Sequence, residues 1–305
     1  MKLILPHLLL LQPCPYWGRQ RIVNEKGKQR DNETASTKMA FDISKYAASS
    51  ERVTWKDLDL EHFRTNPLPE DTLRVLRYMA DVEYHTVCYT RDLLTTPSHK
   101  EPEIATFMTM WNREEFWHGE ALAAVLDVHG IVVDYDQLKA NRLKLGWRDF
   151  FDPIKQGLLG KIVGKDFVAV HMSWGAANEY SAVTAYKRMA DTETDPVLSE
   201  LLRRIAKQET KHVAFYVSQA RERLTNSVRA QKLTRRLLTS FWSPVGSSIS
   251  EDTETAFVFG KIMSGPEGHK AAQQLDKNIS GLPGMKGLTI FEQAMKKMNV
   301  NSVSS

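Results

Sequence analysis

Two copies of one short motif restrict what this chain can fold into more than any other feature of its sequence. The motif is Glu-x-x-His, and it spans Glu115 to His118 and Glu209 to His212. Residues three apart lie on the same face of an α-helix, so the two side chains of each motif can bind one metal ion. A single pair of this kind is common on exposed helices, but two pairs favour a shared site.

A further glutamate precedes each motif at a similar distance. Glu83 stands 32 residues before Glu115, and Glu179 stands 30 residues before Glu209. Both earlier glutamates begin the pattern Glu-Tyr-x-x-Val. The sequence therefore contains two similar half-sites, each made of one such glutamate and the Glu-x-x-His motif that follows it. Four carboxylates and two imidazoles form the ligand set of a di-iron carboxylate site in a helical bundle, and oxygen and nitrogen ligands suit iron or manganese. We predict two irons bound by Glu83, Glu115, His118, Glu179, Glu209 and His212.

Apolar residues flank both motifs, which predicts that the ligands are buried and must compensate one another's charge. Those near the first motif include Met108, Trp111, Phe116, Trp117 and Leu122, and those near the second include Ile205, Val213, Phe215 and Val217. Glu114 lies about 100° round the helix from Glu115, so we assign it to the surface or to a position that supports the metal ligands. We expect His85 and His171 to pack or to support ligands rather than to bind metal.

The spacing of apolar residues and prolines predicts an all-α fold. Four long helices are expected at 69–94, 102–130, 165–189 and 196–224, and a shorter one at Tyr135–Leu145. Residues 146–164 contain four glycines and one proline, which is typical of a crossover connection. The pattern indicates a four-helix bundle with one long crossover between the second and third helices. Residues from about 225 to 305 add two to four shorter helices.

Composition restricts the class of protein further. The chain has 305 residues, a formal net charge of +4 and two cysteines, Cys14 and Cys88. Two cysteines exclude a disulfide framework and a four-cysteine metal site, so a reducing cytoplasm is the expected location. The charge is too small to indicate nucleic-acid binding. No apolar run approaches the roughly 20 residues of a membrane span.

The first residues differ in character from the rest. Residues 18–38 are polar and basic, so we expect residues 1–38 to be a disordered, dispensable extension before a single domain at 39–305. A start codon placed too early is the favoured explanation. A targeting role is the alternative, because Leu3–Leu5 and Leu8–Leu11 resemble a signal peptide, although no cleavage site follows.

At its metal motifs the sequence resembles the ferritin-like di-iron carboxylate family, and most closely its soluble acyl-[acyl-carrier-protein] desaturases. The second-helix signature of that family is similar to Glu114–Gly119, Glu-Glu-Phe-Trp-His-Gly, and the fourth-helix signature is similar to Gln208–His212, Gln-Glu-Thr-Lys-His. The resemblance covers roughly residues 50–225. It implies that Glu115 and Glu209 bridge two irons, one bound by Glu83 and His118 and the other by Glu179 and His212.

The resemblance also implies a ferritin-like fold and a function in fatty acid metabolism. The expected activity is that of a di-iron, dioxygen-dependent oxidoreductase that desaturates an acyl chain on acyl carrier protein, with a ferredoxin-type electron donor and a homodimeric state. Two residues depart from the plant desaturases: Gln208 replaces an aspartate, and Ala182 replaces a threonine. Neither is a metal ligand, so desaturation, hydroxylation and other oxidations are all compatible with the ligand set.

Two other classes of function stay open at this point. One is a different ferritin-like di-iron oxygenase, acting on a small metabolite, an RNA base or an amine, although amine-oxidising relatives carry an extra histidine where this chain has Ile205. The other is a non-catalytic iron-binding protein, although storage bundles are usually far shorter. Because acyl carrier proteins are acidic, we predict a docking surface at Arg229, Arg235 and Arg236; an ordinary solvated face is the alternative.

Overall fold

The computed structural model describes residues 41–133 and 163–300. These residues form nine α-helices and no β-strand, so the predicted all-α class is confirmed for the described part of the chain. The expected extension at 1–38, the short helix at Tyr135–Leu145 and nearly all of the expected crossover lie outside the described residues. The described residues belong to one compact unit, Ala40–Ser305.

Four of the nine helices are long and five are short. In chain order they are α1 Ile43–Ser49, α2 Glu70–Leu93, α3 Pro102–Val128, α4 Phe167–Thr192, α5 Pro196–Thr225, α6 Val228–Phe241, α7 Asp252–Met263, α8 Gly265–Ser280 and α9 Ile290–Lys297. Single turns of 3-10 helix occur at Leu60–Arg64, Pro97–Lys100 and Gly164–Asp166. None of the helices in the described ranges is both long and apolar enough to cross a membrane.

The bounds of the long helices follow from local signals in the sequence. Pro102 and Pro196 stand in the first turn of α3 and α5, where a missing backbone N–H costs nothing. The side chain of Asp195 accepts hydrogen bonds from the backbone nitrogens of Val197 and Leu198, at 2.8 and 3.1 Å. This N-cap satisfies two N–H groups that have no partner inside the helix. The bounds predicted for the four long helices differ from the observed ones by three residues at most.

The long helices pack in two pairs, and the short helices cover them. Helix α2 lies along α3, α4 lies along α5, and α3 also contacts α5. At the N-terminal end of the described residues, α1 packs on α3. After α5 the chain turns back: α6 contacts α4 and α5, α7 contacts α2 and α4, and α8 contacts α4, with α9 against α7 and α8. Residues after 225 therefore share the core of the long helices.

An aromatic cluster joins α3 to α4 and α5. The rings of Phe107 and Phe215 stack with their centroids 3.7 Å apart, and Tyr216 meets Phe107 edge-on at 5.2 Å. Tyr216 also lies against the backbone of Gly175, where an added Cβ would stand 2.1 Å from the ring carbon Cε1. Only glycine lets α4 approach this buried ring, and the close approach brings α4 and α5 together beside the metal motifs.

Candidate metal centre

The structure brings all six predicted ligands together in the interior. Helices α2 and α4 contribute one glutamate each, and α3 and α5 contribute one Glu-x-x-His motif each. The six side chains are buried, and they form two groups in which the possible ligand atoms lie within 4.8 Å of one another. The first group is Glu83, Glu115, His118 and Glu209, and the second is Glu115, Glu179, Glu209 and His212.

The first group is arranged around one imidazole nitrogen. Nδ1 of His118 lies 3.1 Å from an oxygen of Glu115 and 3.1 Å from an oxygen of Glu209. An oxygen of Glu83 lies 3.9 Å from the same nitrogen. Three carboxylates and one imidazole therefore direct their donor atoms to one point, which is the arrangement that a bound metal requires.

The second group has the same arrangement and shares two of its carboxylates with the first. Nδ1 of His212 lies 2.9 Å from Oε2 of Glu209, 3.2 Å from Oε1 of Glu115 and 3.6 Å from Oε2 of Glu179. Glu115 and Glu209 each direct their other oxygen to His118. Each of these two glutamates thus offers one oxygen to either position, which is the geometry of a bridging carboxylate.

The outer nitrogen of each histidine has a partner from the opposite motif. Oε1 of Gln208, the residue before Glu209, lies 2.8 Å from Nε2 of His118. Oε2 of Glu114, the residue before Glu115, lies 2.7 Å from Nε2 of His212. An acceptor at Nε2 keeps the proton there and leaves Nδ1 free to bind metal. The surface position considered for Glu114 is therefore wrong: Glu114 is buried and contacts His212, as the alternative of a supporting position expects.

The two glutamates that do not bridge are oriented by aromatic donors. The hydroxyl of Tyr186 donates to Oε1 of Glu83, and the indole Nε1 of Trp111 donates to Oε1 of Glu179 at 3.1 Å. The Oε2 atom of each glutamate then faces a histidine. The sequence contained a weak signal for both donors, because Tyr186 lies seven residues after Glu179 and Trp111 four residues before Glu115, on the ligand faces of their helices.

Two further contacts hold the outer partners in place. The hydroxyl of Tyr46, on α1, donates to Oε2 of Glu114 at 2.7 Å. The amide nitrogen of Gln208 donates to the backbone oxygen of Glu51 at 3.0 Å, which orients the amide oxygen towards His118. Nothing in the sequence near the motifs indicates Tyr46, because it is 68 residues from Glu114 along the chain.

Burial and charge control the protonation of the histidines. Burial lowers the pKa of His118, but the neighbouring carboxylates of Glu115 and Glu209 outweigh it and raise this pKa to about 10. Burial likewise opposes the charge on His212, but Glu115, Glu209 and Glu114 raise its pKa well above the usual value. Without a metal, both imidazoles therefore hold an extra proton at neutral pH.

The carboxylates divide into two kinds. Burial, with the charge of the bridging carboxylates, raises the pKa of Glu83 and Glu179 well above the usual value. Burial also raises the pKa of Glu115 and Glu209, but the protonated His212 and the second imidazole outweigh it and hold both pKa values below the usual range. Protons on the two imidazoles and on the two carboxyls with raised pKa values would therefore offset negative charge in this cluster. Divalent cations would offset it as well, so the donor set fits two such ions.

The other histidines considered belong to neither group. Nδ1 of His171 lies 2.8 Å from the hydroxyl of Ser98, and burial, with a smaller contribution from Arg223, lowers the pKa of His171 to about 3. His85 lines a cavity beside the centre. Among the described residues, the two metal-binding groups therefore contain only the six predicted ligands.

A cavity of about 380 Å³ reaches the centre from the side of residues 241–249. Its wall includes the four ligand glutamates, and its apolar and aromatic lining includes Val82, Tyr89, Trp111, Trp174, Ala182 and Tyr216. A second cavity of about 70 Å³ shares Val82, Glu83, Ala182, Pro244 and Val245 with the first and continues between α2, α4 and α7. The two cavities therefore lie side by side, next to the ligands.

The three arginines predicted to bind a carrier lie on α6. Arg229 is exposed and pairs with Asp166 at 3.4 Å. Arg235 donates to the backbone oxygens of Gly284 and Lys286, at 3.4 and 2.9 Å, so it also holds the turn that follows α8. Arg236 is exposed. Carrier binding by this group stays a prediction.

Comparison of the chain with protein-family models, with curated proteins and with solved structures finds no match. The function proposed below therefore depends on the chemistry and geometry of the buried centre.

Proposed function

We propose that this chain is a di-iron, dioxygen-dependent oxidoreductase that desaturates an acyl chain carried on acyl carrier protein. One observation carries the proposal more than any other: Glu115 and Glu209 each offer one oxygen to His118 and the other to His212. Two metal positions that share two carboxylates suit a reaction that passes two electrons to dioxygen. A single-metal site would not need this arrangement.

The proposed fold is a ferritin-like four-helix bundle with one long crossover. Helices α2 and α3 pack together, as do α4 and α5, and short links join the members of each pair. Residues 129–166 separate the two pairs along the chain, and this longer segment is the proposed crossover. A ligand from each of the four helices then meets the others at one level of the bundle.

The side chains around the centre bind and orient, and the proposed irons supply the redox chemistry. With the irons bound, dioxygen would become two waters as it takes two hydrogens from an unactivated –CH2–CH2– unit, two electrons from a ferredoxin-type donor and two protons from solvent, which leaves one double bond in the chain. Trp111 and Tyr186 hold one oxygen each of Glu179 and Glu83, which leaves the other oxygen for metal. Preoriented ligands of this kind need no rearrangement when metal binds.

The lining of the cavity supports the proposal that the substrate is uncharged and apolar. Apart from the ligand glutamates and His85, its described wall has no acidic or basic side chain other than the hydroxyls of Tyr89 and Tyr216, and apolar atoms form most of its surface. Burying an anionic group there would cost several kcal/mol because the charged side chains on this wall are the ligand glutamates. Ala182, three residues after Glu179, lines both cavities.

The product of the reaction tests this function. Iron-loaded protein is incubated in air with acyl carrier substrates and a ferredoxin reducing system, and the acyl chains are analysed by mass spectrometry. Loss of two hydrogens is expected. Gain of one oxygen would instead support a hydroxylase, and iron uptake without any product would support a non-catalytic iron-binding protein. The variant His118→Ala is the matched control, because it keeps the cavity but loses a ligand.

The carrier is tested separately at the α6 arginines. Reversing Arg229, Arg235 and Arg236 to glutamate should raise the KM for carrier-bound substrate, since like charges would then meet where opposite charges steer encounter. Iron content should not change. Because Arg235 also binds two backbone oxygens, the double variant at Arg229 and Arg236 is the control for structural damage. An unchanged KM in both variants would exclude this docking surface.

The remaining expectations belong to the same proposal. A homodimeric state, a ferredoxin-type donor and a cytoplasmic location are those of the soluble desaturases that the metal motifs resemble. Analytical ultracentrifugation of the full chain tests the first of them.

A further inference from the structure

We propose that the two metal positions are unequal and that the position formed by Glu179 and His212 holds its ion more tightly than the position formed by Glu83 and His118. The inference rests on the proposed metal centre. It follows from one difference between otherwise matched half-sites: the outer nitrogen of His212 faces a carboxylate, and that of His118 faces a neutral amide.

The contact at His212 is a fully buried, charged one. Nε2 of His212 lies 2.7 Å from Oε2 of Glu114, and neither side chain is exposed to solvent. The hydroxyl of Tyr46 donates to the same oxygen and holds it in place. A hydrogen bond to a charged acceptor is roughly twice as strong as one between neutral groups. It moves electron density onto the imidazole, so Nδ1 becomes a stronger metal donor.

The contact at His118 has nearly the same length but carries no charge. Nε2 of His118 lies 2.8 Å from Oε1 of Gln208, whose amide nitrogen is held by the backbone oxygen of Glu51. The amide therefore fixes the same tautomer of the ring. It does not supply a negative charge, so Nδ1 of His118 stays the weaker donor of the two.

The other outer contacts are matched between the two positions. Oε1 of Glu83 accepts one hydrogen bond from the hydroxyl of Tyr186, and Oε1 of Glu179 accepts one from the indole of Trp111. The bridging glutamates are shared, so they do not distinguish the positions. The outer partners of the two histidines are therefore the difference on which the inference depends.

The expected difference in affinity is large enough to measure. Changing an outer partner of a metal-bound histidine typically changes metal affinity by about 10- to 100-fold. At metal concentrations between the two dissociation constants the chain would hold one ion. A reaction that needs two ions would then be off, so metal supply would set the active fraction of the protein.

Stepwise binding alone does not test the inference, because repulsion between two cations also separates the steps at identical positions. The test therefore compares the Co²⁺ affinities of two half-site variants. Each affinity is measured by visible absorption in competition with a chelator. His118→Ala leaves the position at His212, and His212→Ala leaves the position at His118. The first variant should bind Co²⁺ about 10-fold or more tightly than the second. Equal affinities would overturn the inference.

Two isosteric exchanges test the cause while retaining all six ligands. In the otherwise unchanged chain, Glu114→Gln should weaken Co²⁺ binding at the tighter position, and Gln208→Glu should strengthen Co²⁺ binding at the weaker position. Each exchange should therefore bring the two dissociation constants for Co²⁺ closer together. The double exchange moves the carboxylate from His212 to His118, so it should restore the gap with the tighter position now at His118. Constants that stay unchanged in both single variants would overturn the inference even if the half-site variants fold poorly, and circular dichroism melting shows whether they do.

The same titration separates this inference from the proposed function. If the unchanged chain binds two Co²⁺ ions with no effect of either exchange, the inequality is wrong and the metal centre stands. If the unchanged chain binds fewer than two ions, the proposed metal centre itself fails.

Discussion

Metal binding should release several protons from each chain at pH 7, with four as the upper limit. The protons come from His118, whose pKa is raised to about 10, and from three further groups whose pKa values are raised well above normal: His212, Glu83 and Glu179. Each must lose a proton before it can bind metal. With ordinary pKa values, the two histidines and two glutamates together would carry only about half a proton at pH 7.

The direction of the pH dependence follows from the same groups. Protons compete with metal wherever these groups are protonated, so apparent affinity rises as pH rises towards the raised pKa values. For each proton that is displaced, the product of the two binding constants should rise about 10-fold for each pH unit. The folding stability of the metal-free protein changes with pH in the opposite direction. The stability that a raised pKa of His118 contributes is fully present below about pH 6.5 and is lost as pH rises through about 10.

Calorimetric titration with Co²⁺ at pH 7 measures the proton count. The observed enthalpy is plotted against the ionisation enthalpy of several buffers, and the slope equals the number of protons released. Glu83→Gln should lower the number by about one, because glutamine has no proton to give up. A release of fewer than two protons by the unchanged chain would refute the reasoning, since it would mean that burial and charge do not shift these groups.

Three other predictions test the ligands, the packing and the domain bounds. The double variant His118→Ala/His212→Ala should bind no metal by elemental analysis, whereas the control His269→Ala, on α8, should keep its full metal content. Full metal content in the double variant would contradict the ligand assignment. Gly175→Ala should lower the free energy of unfolding by about 1–3 kcal/mol, because its Cβ would stand 2.1 Å from a buried tyrosine ring; an unchanged denaturation midpoint would show that the ring can move. A chain starting at Met39 should keep its melting temperature and metal content, and a large loss of either would show that the residues before it contribute to the fold.

Local rules were enough to predict the four long helices and the six residues that meet in the candidate metal centre. The ligand pairs are three residues apart on one helix, and helical geometry alone puts such residues on one face. The bounds of the long helices are close to the predicted ones because prolines and the Asp195 cap act within one turn. Helix α1 was not predicted because its seven residues are too few to show a period. Its own sequence supplies one cap, because the Asp42 side chain accepts a hydrogen bond from the backbone nitrogen of Lys45, and so short a helix also needs its packing on α3.

The environment of the ligands depended on the tertiary structure. Glu114 lies about 100° from Glu115 on its helix, and in a helix covered on one side such a residue faces water. Here α1 covers that side, so Glu114 is buried between Tyr46 and His212. Only the packing of α1 on α3, and of α3 on α5, decides between the two environments.

The pairing of the outer partners was also decided by the tertiary structure. Gln208 is next to one motif in the sequence but contacts His118 in the other, 90 residues away. The rotation of α5 about its axis relative to α3 sets this contact, and sequence spacing does not determine such a rotation. The sequence by itself thus determined which residues could bind metal. Only the packing of whole helices decided that a charged group supports one histidine and a neutral group the other, because these contacts cross between helices.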